Sequence, residues 1–338
     1  MSAPGPDELL ARAAAAGIHR IALPTPFAVG RVNCWLIEDE PLTLLDTGPN
    51  SGKALDELEG ALAARGHRVE DLQLIVISHQ HMDHLGLASI LARRSGAEVA
   101  ALDALAPWLA DFSASMEADD VFGEAVMARH GVPDELRLAL RAVSHAFRGW
   151  GSRVDVTRPL ADGSALALRD RTLHVHHRPG HSPSDTVLHD AERGILLAAD
   201  HLIRHISSNP LVTRPLGGGD PAERPQALVT YMDSLGRTRR MADVEVVLTG
   251  HGDPVGDHAR LIDERFRLHD RRARKIERLL AQRPLSAHEV AHELWGNVAV
   301  TQAYLTLSEV LGHVDLLLND GSVTEVEGPD GVVRFQHT

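Results

Sequence analysis

Leu72-Gln73-Leu74-Ile75-Val76-Ile77-Ser78, followed at once by His79-Gln80-His81-Met82-Asp83-His84, decides the fold and points to the chemistry. The first segment is an apolar run of strand length, rich in β-branched residues. The second sets four metal-ligating side chains just past the end of that strand. Imidazole nitrogens and carboxylate oxygens are the ligands zinc takes at catalytic sites. His79 and His81 stand two apart, so an extended chain projects both to one side. Asp83 and His84 fall where the chain turns into a helix, and there they can face a second ion beside the first. A histidine-rich surface turn would not need this density of ligands directly after a buried strand.

Three further residues occupy equivalent places. His181 follows the run TLHVHH in PGHSPSD, Asp200 closes GILLAAD, and His251 follows VEVVLTG in TGHGDPV. Open α/β sheets gather their sites outside the carboxyl ends of strands. Taken singly, each reads as a turn or cap residue. With the first cluster they form one set, too many ligands for a single tetrahedral ion.

Outward from these motifs, residues 31–46 read as two strands around a turn at 38–41, residues 52–65 and 85–94 as helices, and 98–102 as a strand. Residues 103–150 carry helical periodicity. Strand patterns return at 153–160, 165–170, 172–177, 185–190, 194–200 and 244–250, with a helix at 225–241. This predicts an α/β fold with a helical insertion. After residue 257 come an Arg-rich helix at 259–282, a capping box at Ser286 and Glu289, a helix at 300–318, and two short strands around Pro329-Asp330-Gly331. Three helices and a terminal hairpin make the layout of a small winged-helix domain. Its apolar residues Val290, Leu294, Trp295, Leu305 and Leu311 call for a core.

His-x-His-x-Asp-His, Pro-Gly-His, a strand-terminal Asp and Gly-His-Gly, in this order, resemble the metallo-β-lactamase superfamily over residues 18–257. Residues 1–17 are then a lead-in and 258–338 a winged-helix-like domain. The resemblance implies an αββα sandwich holding two zinc ions per chain at one edge, iron or manganese being the other metals for such a site. By position it puts His79, His81 and His181 on the first metal, Asp83, His84 and His251 on the second, and Asp200 between them. Asp46, in LLDTG, matches an acidic position behind the ligands. Two divalent cations sharing a water bring its pKa towards neutrality and polarise a carbonyl oxygen. Asp83 is the candidate catalytic residue, positioning the second metal and handling the proton of that water. No serine or cysteine nucleophile is required. Cys34 lies in a strand-like run and reads as buried filler.

Composition narrows the partners. A net charge of −13 opposes broad attraction to nucleic acid or anionic membrane. The single cysteine and the shortness of the early apolar stretch 13–16 predict a cytoplasmic protein with no membrane contact. Nothing in the sequence fixes an oligomeric state. Relatives in the superfamily act on β-lactams, thioesters, lactones and phosphodiesters, so the fold leaves the substrate open. Asp200 stands where β-lactamases differ, Tyr231 and Tyr304 fall in no lactonase-like motif, and Asp200 and His251 are too close for a large nuclease insertion. The leading expectation is a metal-dependent hydrolase of a small-molecule carbonyl substrate (thioester, ester or lactone), similar to the glyoxalase II-like branch. A metal-dependent endoribonuclease or phosphodiesterase is second, because the tail resembles that of members similar to β-lactamase-like protein 2. Its Arg-rich helix would meet the nucleic acid, although Asp263, Glu264, Asp270 and Glu277 suggest intrahelical ion pairs instead. A non-enzymatic nucleic-acid-binding regulator is the reading from another class, and the complete ligand set speaks against it. Trp108, Phe112, Met116, Phe147 and Trp150 of the insertion, with His205, are the candidate substrate contacts, the insertion folding over the metal edge as an apolar lid.

Overall fold

Leu74, Ile75, Val76 and Ile77 are all buried because their strand has a packed layer on each face. In the computed structural model, which describes residues 4–338, that strand is β4 of a six-stranded mixed sheet. The sheet runs in the order β1 (Ile18–Leu23), β2 (Val32–Ile37), β3 (Thr43–Leu45), β4 (Leu74–Ile77), β5 (Glu98–Leu102) and β6 (Arg158–Leu160). A second mixed sheet takes β7 (Ala165–Ala167), β8 (Thr172–His177), β9 (Thr186–Asp190), β10 (Ile195–Ala199) and β11 (Val246–Thr249), with β11 at one edge and β7 at the other. β1, passed over by the pattern reading, pairs antiparallel with β2 through its whole length. Of the strand expected at 153–160, only β6 joins the ladder. Val154 instead drops into the core.

Period-two alternation divides each strand between two cores. Trp35, Ile37, Leu45, Leu74 and Val76 meet Leu173, Val175, Leu188, Ile195, Leu197 and Leu248 between the sheets. Cys34, Leu36, Leu44, Ile75 and Ile77 face outward onto helices α2 (Gly52–Ala63) and α4 (Ala88–Ser95). On the other side Val187, Leu196, Ala198 and Val247 pack against α8 (Ala227–Arg239) and the start of α9 (His258–Leu280). The layers are therefore helix, sheet, sheet, helix. Near the N-terminus α1 (Pro6–Ala15) sends Leu9 and Ala13 into the core between the sheets.

The insertion forms α5 (Ala106–Ala110), α6 (Phe112–Arg129) and α7 (Asp134–Phe147). Beyond α9 lie β12 (Leu285–Ser286), α10 (Ala287–Trp295), α11 (Val298–Thr301), α12 (Ala303–Asn319), β13 (Val323–Glu327) and β14 (Val333–His337). β12, β14 and β13 make a three-stranded antiparallel sheet. The capping box at the start of α10 is present, Ser286 Oγ accepting from the Glu289 N–H and Glu289 accepting from the Ser286 N–H. Val290 and Leu311 are buried in the cluster these elements share, and Leu294 and Trp295 pack against it. Leu305 does not join them and is 42% exposed. Phe122, Val126 and Met127 of α6 belong to the same cluster, so the tail and the insertion share one core. Among the described residues no helix is long and apolar enough to cross a membrane.

Candidate metal centre

β4 ends at Ile77, and the next turn presents His79 and His81 before the short helix α3 (Met82–Leu85) carries Asp83 and His84. His181 arrives from the loop between β8 and β9, Asp200 from the end of β10, and His251 from the end of β11. All seven expected ligands meet at the same edge of the two sheets. The ligand atoms form three sets, His79 with His81 and His181, Asp83 with His84 and His251, and Asp200 with His79 and His84, each within 4.8 Å of one another. His181 Nε2 lies 3.0 Å from His81 Nδ1, and His79 Nε2 lies 3.1 Å from the same atom. Asp200 reaches both groups, with Oδ2 at 3.5 Å from His181 Nε2 and from His251 Nε2, and Oδ1 at 3.5 Å from His84 Nε2.

Outer hydrogen bonds fix which nitrogen faces inward. His84 Nδ1 donates to Asp46 Oδ2 at 2.7 Å, His251 Nδ1 to the Arg31 carbonyl at 2.9 Å, and His181 Nδ1 to the Asn209 carbonyl at 3.2 Å. Each leaves an Nε2 lone pair pointing into the site. His79 Nδ1 is 2.9 Å from Ser78 Oγ, which in turn donates to Asp46 Oδ2. Asp46 thus stands behind one ligand directly and behind another through Ser78. Asp200 Oδ1 and His84 Nε2 are buried with no hydrogen-bond partner. A pair of orphaned donors to a cation, among converging lone pairs, fits bound metal.

Electrostatics agree. Burial, then the neighbouring His181, pushes His81 down to about 3, so it offers an unprotonated nitrogen at neutral pH. Burial also lowers His79 well below the usual histidine range. Burial opposes charge on His84, yet Asp200, Asp46 and Asp83 together raise it well above the usual range. Asp200 is itself held far below the usual carboxylate range, its burial outweighed by His84 and His251. The second triad therefore sits in a strongly negative potential suited to a dication.

Backbone placement is equally demanding. A Cβ on Gly250 would lie 2.0 Å from Asp200 Oδ1 and 2.9 Å from His84 Cε1, so only glycine lets the His251 loop come this close. Asp46 and Ala199, the residue before Asp200, both adopt left-handed φ values of 60° and 43°. Such conformations in non-glycine residues cluster at functional sites.

The expected substrate contacts separate. Trp108 and Phe112 are 4% and 6% exposed, edge to face at 5.5 Å, and belong to the core under the first sheet. This corrects the expectation that they face substrate: Trp108 Nε1 is satisfied by Asp119, and the rings fill space between the insertion and the strands. Met116 packs partly buried on the same cluster. Trp150 acts through its carbonyl, which accepts from the Asn50 N–H. Phe147 does line a cavity of about 380 Å³, with Met82, Gly123, Met127, Leu140, Val143, Tyr304 and Leu305 on its larger apolar part and Asp119, Asp120, Glu124, Arg141 and Ser144 on the rest. Met82 stands between ligands His81 and Asp83, so this mainly apolar cavity reaches the metal loop. His205 is exposed and lies against Gly252, the neighbour of His251.

Several contributors escaped the sequence reading. Asn209 and Arg31 act through main-chain carbonyls, which no side-chain pattern betrays. Tyr304 and Leu305 come from the distant tail. The segment carrying His205 and Asn209 is held by that tail: Arg265 donates to the carbonyls of Ile203, Arg204 and Ile206, and Asn209 Nδ2 donates to the Leu305 carbonyl.

This layered fold and its ligand cluster define a metal-dependent hydrolase. The chain belongs to the metallo-β-lactamase superfamily, whose family profile matches residues 28–251. It is 32% identical over 304 residues to the probable metallo-hydrolase YqjP of Bacillus subtilis, covering 90% of this chain and 93% of that protein. Over 179 residues it is 30% identical to the acyl-coenzyme A thioesterase MBLAC2 of Bos taurus, covering 50% of this chain and 58% of that one. Among solved structures, a metallo-beta-lactamase family protein of Thermus thermophilus superposes with a TM-score of 0.77 at 25% identity, over 95% of this chain and 99% of that one. A beta-lactamase domain protein of Burkholderia ambifaria gives 0.79 at 26% identity, over 95% and 92%.

Proposed function

We propose that the chain is a dinuclear zinc hydrolase of acyl thioesters, with simple esters and lactones as the related carbonyl substrates. The observation that carries this reading is a mainly apolar cavity of about 380 Å³ whose wall includes Met82, the residue between His81 and Asp83 in the chain, together with a polar side formed by Asp119, Asp120, Glu124, Arg141 and Ser144. Such a cavity suits an acyl chain and poorly suits a phosphodiester backbone. Similarity to an acyl-coenzyme A thioesterase supports the thioester choice.

His79, His81 and His181 would hold one zinc, Asp83, His84 and His251 the other, with Asp200 shared between them. Two such ions would supply an activated water near neutral pH and an electrophile for the carbonyl oxygen. Asp83, whose Oδ2 lies 3.3 Å from His251 Nε2, would orient the second triad and accept the proton of the attacking water. Phe147 and Met82, with Tyr304 and Leu305, would contact the acyl chain, Met116 and Trp150 would brace the lid, and His205 would flank the thioester. The tail is read as a winged-helix-like domain that closes one wall of the pocket. With its single cysteine free and buried, the chain is assigned to the cytoplasm.

The test is a panel of acyl-coenzyme A thioesters, a small non-nucleotide thioester, aryl esters, lactones and RNA, run on zinc-loaded protein. Chelation and Asp200→Ala should each abolish thioester turnover. RNA cleavage without carbonyl turnover would replace this reading with the phosphodiesterase one.

A further inference from the structure

Helix α9 carries eight basic residues, and the fold sorts them into two groups. Arg260 pairs with Glu264 at 3.2 Å, Arg274 with Asp270 at 3.1 Å, Arg272 with Glu309, and Arg265 with three carbonyls. Arg267, Arg271, Lys275 and Arg278 are exposed and have no hydrogen-bond or ion-pair partner among the described residues. Their spacing of four, four and three aligns them in one stripe about 16 Å long. Like charges so arranged repel one another along a helix, and this chain has a net charge of −13. A ligand that neutralises the stripe would relieve that repulsion.

Beside the stripe lies a cleft of about 220 Å³ lined by Leu268, Arg271, Arg272, Lys275, Leu294 and Trp295. The Arg272 guanidinium sits 5.6 Å from the Trp295 ring centroid and also donates to Glu309. Aliphatic walls, an indole and a guanidinium plane make a stacking surface for a flat ring. The volume matches about seven waters, or a single ring system. Asp270 and Glu277 lie on the opposite flank of the stripe by helical periodicity. A long polyanion laid across α9 would meet those carboxylates, whereas a compact phosphate-bearing ring would not.

We infer that this face binds a nucleotide, its base in the Trp295 cleft and its phosphates on Arg271, Lys275 and Arg267. Guanidinium groups match phosphate oxygens in bidentate geometry. Two sources share this chemistry, a free nucleotide and the nucleotide end of a coenzyme A thioester. The second rests on the thioesterase reading above. Leu305 walls the acyl cavity, and Glu309 stands one helical turn further along α12, about 6 Å away. Glu309 holds Arg272, so the two sites adjoin along a single helix.

The experiment uses the full-length zinc-loaded protein and follows its tryptophan fluorescence, with Trp295→Phe identifying the signal. Adenosine 3′,5′-bisphosphate, ATP, coenzyme A and a short single-stranded RNA are titrated in turn. A quench by the nucleotides that disappears in Trp295→Phe, and an affinity that falls about tenfold or more in Arg271→Ala with Lys275→Ala, is the expected result. Coenzyme A and the bisphosphate outcompeting ATP would assign the site to substrate, and a raised KM for acyl-coenzyme A in the double variant, with unchanged turnover of the non-nucleotide thioester, would agree. Equal binding of ATP would assign it to a free nucleotide and still support the site. No saturable binding below millimolar concentration, equal affinity in the double variant, or tight binding of the RNA alone would overturn it. Nucleotide binding in a protein that hydrolyses no thioester would refute the thioesterase reading and leave this one standing.

Discussion

Asp46→Asn tests the logic of the centre with the smallest change in shape. The Asp46 carboxylate is buried and accepts three hydrogen bonds: from the Ser78 N–H at 2.8 Å on Oδ1, and from Ser78 Oγ and His84 Nδ1, both at 2.7 Å, on Oδ2. Asparagine tolerates the left-handed backbone at this position nearly as well, so conformation is not the variable. An amide offers one acceptor and one donor group. If its oxygen faces the Ser78 N–H, its NH₂ meets the His84 Nδ1–H. The imidazole must then move its proton to Nε2, the atom that faces the metals, or lose the bond. If the oxygen faces His84, the NH₂ meets the Ser78 backbone N–H. Either way one bond to a charged acceptor is lost, about 1.5–3 kcal/mol. That corresponds to about 10–100-fold in affinity, the range for residues supporting a ligating histidine. In the proposed dinuclear centre, binding of a metal to Asp83, His84 and His251 should weaken by this amount, and binding to the His79 set less, since Asp46 reaches it only through Ser78. Competitive chelator titration with elemental analysis measures both affinities. If both stay within twofold of the parent protein, Asp46 does not orient these ligands.

Gly250→Ala should drive Asp200 and His84 apart, dropping activity by about 100-fold or more while far-ultraviolet circular dichroism stays unchanged; full activity would mean the loop can yield. Trp108→Ala should cost about 3–5 kcal/mol of stability in chemical denaturation, because its ring is core. A substrate contact would instead raise KM and leave stability nearly unchanged. His269 and His313, buried between α9 and α12 with His269 Nδ1 3.1 Å from His313 Nε2, are each lowered to about 4, mainly by burial. The unfolded chain binds more protons between about pH 6.5 and 4, so stability present above that window is lost as pH falls through it, on the order of 3 kcal/mol for each of the two histidines. His313→Asn should flatten this part of the curve, measured as the difference from the parent protein; an unchanged slope would mean that the pair does not titrate on unfolding.

Local signals are those a few neighbouring residues can carry. The run Leu74–Ile77, the ligand quartet after it, the strand-terminal Asp200 and His251, and the capping box at Ser286 were all readable because period, spacing and composition are properties of adjacent positions. Continuous apolar runs marked strands buried on both faces, which already required layers above and below. Spacing along the chain, however, says nothing about what meets across it. Trp108 and Phe112 looked like lid residues because aromatic content does not distinguish a pocket wall from a core. Their place was set by packing against the outer face of the first sheet. Only the fold joined Met82 to Phe147, Tyr304 and Leu305, residues far apart in the chain, around one cavity. Arg31 and Asn209 became supports of His251 and His181 through main-chain carbonyls, which every residue has. The Arg-rich helix shows the same division. Its charges and their intrahelical partners lay in the sequence, but which cations have no partner among the described residues was settled by Glu309 and the carbonyls of residues 203, 204 and 206 arriving from elsewhere. Sequence determined the candidate ligands and the strands that carry them; tertiary contact determined which atom of each turns into the shared site and what cavity lies beside it, because those depend on atoms brought together from opposite ends of the chain.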